Sequence, residues 1–168
     1  RQRQDARLDG SRVHARQLAS EIEARGLLQP QEQGRLRRAI ELRARQRELD
    51  LVNVYAGETE VVAVMDPRLP PSPAWEAVAG EALAEAAAAG QEAQAAVAFG
   101  GGRLARAAAP VRDALGRPAG AVVVSSFVPP DVASTRYSLI IGETSASAWP
   151  ASAAQSGSTY STRRGGSQ

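Results

Sequence analysis

The stretch from Glu92 to Pro129 most limits what this chain can fold into. Apolar runs of strand length, Gln94 to Phe99, Arg103 to Val111 and Ala119 to Phe127, are separated by Gly100-Gly101-Gly102 and by a turn from Asp113 to Pro118. Glycine and proline at those spacings stop each run and reverse the chain, which predicts an antiparallel three-strand meander.

Upstream, the period changes at Leu49. Leu49-Asp50-Leu51-Val52-Asn53-Val54-Tyr55 alternates apolar and mostly polar positions, and Ala56-Gly57-Glu58 then supplies a turn. Thr59 to Met65 can return as its partner, so a first hairpin is expected from Leu49 to Met65. Four prolines between Asp66 and Pro73 cannot continue a strand, because proline donates nothing to the ladder and fixes φ. Ala74 to Ala89 is rich in alanine and glutamate and stops at Gly90, the pattern of a helix that can lie close against a sheet.

Two helices are expected before the hairpin. Ser11 to about Leu28 carries Val13, Ala15, Leu18, Ala19 and Ile22 at helical spacing, with Ser11 as cap and Gly26 near the end. Gln31 to Arg47 sets Leu36, Ala39, Ile40 and Arg43 on one flank and a mixed Arg/Glu surface on the rest, which reads as a solvated face. The apolar stripe of the first helix points to a homodimer, because a small sheet need not cover all of it. After Ile141 the chain is Ser/Ala/Thr/Gly-rich and aperiodic, and disorder is expected there.

Composition removes several classes of function. The 168 residues suit one domain with appendages. The net charge is only +2, and every cation of the Lys+Arg total is arginine, so the high isoelectric point reflects guanidinium titration and no nucleic-acid partner is expected. With no cysteine, one histidine (His14) and no paired-histidine motif, neither a thiolate nor a transition-metal site is expected. Gly100-Gly101-Gly102 lacks the following helix and Lys-Ser/Thr of a phosphate cradle and reads as a turn. Ser125-Ser126 has no base nearby in sequence, so no catalytic residue and no cofactor are assigned. No apolar run is long enough to span a membrane, and the arginine-rich start does not lead into a signal-peptide core, so the anchors of a membrane-tethered protein are expected outside this chain.

The order of parts resembles the extracytoplasmic sensor region of NtrY-type and related transmembrane histidine kinases, a single PAS-like or Cache-like domain. The residues that carry the resemblance are Leu49 to Tyr55, Gly101-Gly102-Arg103-Leu104-Ala105-Arg106, Ala109-Pro110-Val111, and Gly120-Ala121-Val122-Val123-Val124-Ser125 followed by Phe127-Val128-Pro129. It spans roughly residues 11 to 140. It implies an α+β fold, a PAS-like or single-Cache five-stranded antiparallel sheet in the order 2-1-5-4-3 with a long helical N-terminal extension. The implied divisions are a helical signal and dimerisation segment over 1–48, the sensor domain over 49–129, a helix or linker towards a membrane span over 130–141, and a low-complexity tail over 142–168. It further implies a periplasmic domain of an inner-membrane protein that pairs through its N-terminal helix and passes a signal to a kinase. The chain departs from that family in carrying neither membrane span nor kinase, and in having the low-complexity tail where the second span is expected.

On that frame Asn53 and Tyr55 share one face of the first strand, and Ser125 approaches them if the first and last strands pair. Alternation aims only some of Arg103, Arg106 and Arg112 at the pocket face, where a guanidinium can hold a carboxylate bidentately. Asn53, Tyr55, Arg103, Arg106 and Ser125 are therefore the candidate ligand contacts, for a small organic acid or amino acid. For each singly the alternative is a polar residue on a solvated face. The competing functions are a cytoplasmic PAS- or GAF-like regulatory or dimerisation module, and an interaction protein that places its arginine-rich helices on nucleic acid or anionic lipid with steeply salt-dependent affinity.

Overall fold

A computed structural model describes residues 2–69, 81–99 and 101–130. The first helix, α1 (Gln2–Arg25), begins well before the expected cap at Ser11. Ser11 is interior to the helix, and its hydroxyl turns to the sheet, 3.0 Å from Ser126 Oγ and within 3.4 Å of the Ala105 carbonyl. Tertiary packing thus decides the role of a residue whose local preference is to cap. The other end follows the sequence. Gly26, at φ 60°, lets Leu27 donate to the Ile22 carbonyl and closes the helix.

A single 3-10 turn at Pro30–Glu32 leads into α2 (Gln33–Gln46), whose Leu36, Ile40 and Ala44 are buried. This helix ends in the same kind of closure, Leu49 N–H to Ala44 carbonyl, with a non-glycine residue, Glu48, in the left-handed region at φ 52°. The hairpin follows as β1 (Leu51–Ala56) and β2 (Thr59–Met65). The helix α3 (Glu81–Ala88) covers the second half of the one expected over Ala74–Ala89, residues 74–80 lying outside the described ones. Then come β3 (Ala93–Phe99), β4 (Gly102–Arg112) and β5 (Pro118–Val128), each within two residues of its expected bounds.

The domain is α+β, with a five-stranded antiparallel sheet in the order β2-β1-β5-β4-β3. The first and last strands therefore lie side by side, with Leu51 opposite Ser125, Asn53 opposite Val123 and Tyr55 opposite Ala121. Gly120 makes that pairing close. A Cβ there would lie 2.1 Å from the Tyr55 carbonyl oxygen and 2.8 Å from Leu28 Cδ2.

Both faces of the sheet are covered. On one, Val52, Val54, Val62, Val111, Val122 and Val124 pack with Leu18, Ile22, Leu36 and Ile40 of α1 and α2. On the other, Tyr55, Ala108, Ala121 and Val123 meet Leu83, Ala84 and Ala87 of α3. Two-sided cover explains why β5 reads as an unbroken apolar run with no alternation. It also corrects the premise of the dimer expectation, because Ala15, Leu18, Ala19 and Ile22 are at most 3% exposed against their own sheet, and only Val13 of that stripe stands out. The expected linker beyond Pro130 and the tail over 142–168 lie outside the described residues.

Candidate functional site

Strand register decides which polar side chains meet. Arg106 pairs with Ser125 across β4 and β5, and Leu51 pairs with Ser125 across β1 and β5, so Arg106, Ser125, Asn53 and Tyr55 all belong to the face that α3 packs on. Arg106 is 2% exposed, Ser125 fully buried, Tyr55 4% and Asn53 8%. The expectation of a polar group on this face is met by four of its five residues. They are buried residues, which removes the solvated-face alternative for them.

Arg103 is the exception. It lies three residues from Arg106 on the same strand and thus on the opposite face, where its Nη1 donates to Gln4 Oε1 of α1 at 2.9 Å. It is corrected from ligand contact to helix contact. Arg112, at the far end of β4, likewise serves the frame: its Nη1 donates to the Gly116 carbonyl, and its backbone N–H donates to Glu23.

Arg106 Nε donates to Ser125 Oγ at 3.0 Å, which lays the guanidinium over β5 in the direction of β1. Burial pushes its pKa below the ordinary value, and the nearby Tyr55 hydroxyl opposes that shift. An arginine remains cationic at neutral pH even so, and a cation is rarely buried unless it is paired or hydrogen-bonded, as this one is to Ser125. Ser126, the next residue, faces the other way and meets Ser11. Adjacent serines of one strand thus touch the candidate ligand face and α1.

Asn53 brings in a residue the sequence reading missed. Its Nδ2 donates to Glu60 Oε2 of β2 at 2.9 Å. Glu60 stands opposite Tyr55, as the two-residue turn predicts, and a bulge between Val54 and Tyr55 shifts the pairs beyond it, so that Asn53 faces Ala63 while its side chain reaches back to Glu60.

At one end of this face a cleft of about 240 Å³ opens between the β1–β2 turn and α3, lined by Tyr55, Gly57, Glu58, Ala84, Glu85 and Ala88. The small side chains of α3 leave that space. A larger cleft, about 590 Å³, lies between the end of α2 and β2, where Arg68 pairs with Asp66 and holds its carboxylate below its ordinary pKa. Among the described residues no cluster of His, Asp and Glu is placed to hold a metal ion. His14 sits beside Arg47 on the helix side, away from this face.

No protein-family model matches this chain, and no curated protein matches it.

Proposed function

We propose that this chain is a non-catalytic ligand-sensing domain of the PAS-like or single-Cache kind, whose receiving surface is the sheet face carrying Arg106, Ser125, Asn53 and Tyr55. The observation that carries the reading is Arg106, a guanidinium 2% exposed on a covered sheet face, hydrogen-bonded to Ser125 and sharing that face with Asn53 and Tyr55. An arginine so placed presents a planar fork of donors suited to a carboxylate. The five-strand order and the N-terminal helix are consistent with that fold.

The signal leaves by α1. Ligand contact at Arg106 bears on Ser125, the neighbouring Ser126 holds Ser11, and a ligand that prefers one placement of α1 biases the helix. In the setting the sequence resemblance implies, the domain is the extracytoplasmic part of a two-component sensor kinase and α1 leads towards the membrane. Hydrophobic segments flanking this stretch in the full-length gene would support that setting, and their absence would favour a cytoplasmic regulatory module.

Thermal denaturation of the chain across small carboxylates and amino acids tests the reading, repeated with Arg106→Gln. One chemical class should raise the melting temperature saturably, by the equivalent of about 2.7 kcal/mol at a hundredfold excess over Kd, and the variant should lose the response. A folded protein that answers to no compound would end it.

A further inference from the structure

The two edges of the sheet are finished differently. β2 is closed: Gln33 Nε2 of α2 donates to the Val61 carbonyl at 3.3 Å, Glu60 puts a charge on the strand, and its pairing with β1 carries the bulge. Devices of this kind keep an edge from pairing with another chain. β3 carries none of them. Ala93-Gln94-Ala95-Ala96-Val97-Ala98-Phe99 has no charge and no proline, and it pairs with β4 over its whole length without a shift of register. Among the described residues no side chain hydrogen-bonds to the backbone from Gln94 to Ala98. α1 and α3 lie chiefly over β4 and β5, so Gln94, Ala96 and Ala98 are exposed on one face of β3, while Ala95 and Val97 are half-buried on the other.

An edge strand directs alternate N–H and C=O groups away from its sheet, where water or another strand satisfies them. The partner that fits this edge is the edge itself. A half-turn about an axis through the sheet at Ala96 sets a second copy antiparallel, with Ala96 opposite Ala96 of that copy. Gln94 then stands opposite Ala98 on one face, and Ala93 opposite Phe99 and Ala95 opposite Val97 on the other. Small residues meet larger ones, and no charge meets a like charge. Because β2 is closed, the association stops at two copies and builds no fibre.

We infer that β3 is a homodimer edge, through which two copies of this chain join their five-stranded sheets into one. The inference stands apart from the ligand reading, whose residues lie on β1, β4 and β5. α1 runs along β4, from Gln4 beside Arg103 to Glu23 beside Arg112, so the half-turn sets the two α1 helices antiparallel. That arrangement suits the cytoplasmic module named above better than a domain anchored through α1. Seven residues of pairing bury little area, so the dimer is weak and depends on concentration.

Sedimentation of the whole chain from micromolar to submillimolar concentration is the test. The mean mass should rise from 17.6 kDa towards twice that value and level there. Ala96 is exposed and meets itself across the axis, so Ala96→Lys and Ala96→Glu should each weaken the dimer about fivefold or more and leave the fold of the monomer intact. Mixed in equal parts, the two variants should form a heterodimer at least as tight as the wild-type dimer, which only pairing centred on Ala96 gives. Hydrogen exchange on the unmodified chain reads the strand without any variant: the outward amides of β3 should exchange more slowly as concentration rises. A monomer at every concentration overturns the inference and leaves the sensor reading standing. So does a dimer in which β3 exchange does not slow and neither Ala96 variant has an effect, and so does growth past two copies.

Discussion

The two faces of the sheet are built on different terms. The side under α1 and α2 is filled with valine, leucine and isoleucine, and its few polar contacts lie at the margins or, like Ser11 with Ser126, between small hydroxyls. The side under α3 has a core cluster mostly of alanine around Tyr55, with Leu104 and the Phe99–Phe127 ring pair further along the same face, and it buries an arginine, an asparagine and a serine. Apolar area is what stabilises a small domain, so the first face carries the fold. The second gives up packing for polar groups, which is the usual mark of a functional surface.

The largest expected effect sharpens that contrast. Ile22→Ala or Ile40→Ala on the helix side should destabilise by about 2–5 kcal/mol in urea denaturation, whereas Leu83→Ala under α3 should fall at or below the low end of that range, because its neighbours are mostly small. Equal losses would break the comparison.

Next come the paired serines. Ser125→Ala leaves Arg106 Nε without its acceptor in a buried place and should lower stability by about 1–3 kcal/mol. Ser126→Ala leaves Ser11 still within reach of the Ala105 carbonyl and should lower it by about 1 kcal/mol or less. Denaturation of the two variants side by side would show whether the faces differ at a single step along one strand.

Acid should act through the helix side. Glu21 is held below its ordinary pKa of 4.5, chiefly by the hydrogen bond from Arg43, and Glu92 likewise by Arg16. A carboxylate whose folded pKa is depressed stabilises above its unfolded pKa and loses that contribution as pH falls through the folded value. Stability should therefore decline below about pH 4.5, and Glu21→Gln should flatten the decline in denaturation curves taken from pH 3 to 6. The Glu92 pair is exposed and the Glu21 pair part-buried, both within reach of solvent, so the change should be modest and should shrink with salt.

The smallest effect belongs to His14. Burial, and then the charge of Arg47, lower its pKa from 6.5, so the unfolded chain takes up the proton first. Its contribution is present above about pH 6.5 and fades as pH drops from there to the folded value. His14→Gln should remove that slope and leave any ligand response of the α3 side unchanged, as titration of the melting temperature would show.

Much of the frame was legible because it depends on local chemistry. Gly26 and Gly90 mark where helices stop, Gly57 and the Asp113 to Pro118 turn mark where strands reverse, and the period change at Leu49 marks the passage from helix to sheet. The start of α1 was not legible, since Ser11 resembles a cap until the sheet beneath supplies the packing and the hydroxyl partner. The candidate site divided in the same way. Period-two alternation puts Asn53 and Tyr55 on one face and Arg103 and Arg106 on opposite faces with no structure in hand, but which arginine joins Asn53 and Tyr55 depends on register against β5, and that chose Arg106.

The order of apolar runs and breakers in this chain by itself determined that it would form helices followed by an antiparallel sheet, because turns and periodicity act over a few residues. Only the tertiary structure decided that both faces of the sheet are covered, that the stripe of α1 is consumed within its own domain, and that Arg106 is buried beside Ser125 with Glu60 behind Asn53. Those outcomes depend on strand register, a bulge and the packing of distant segments, none of which is written in any one stretch of the chain.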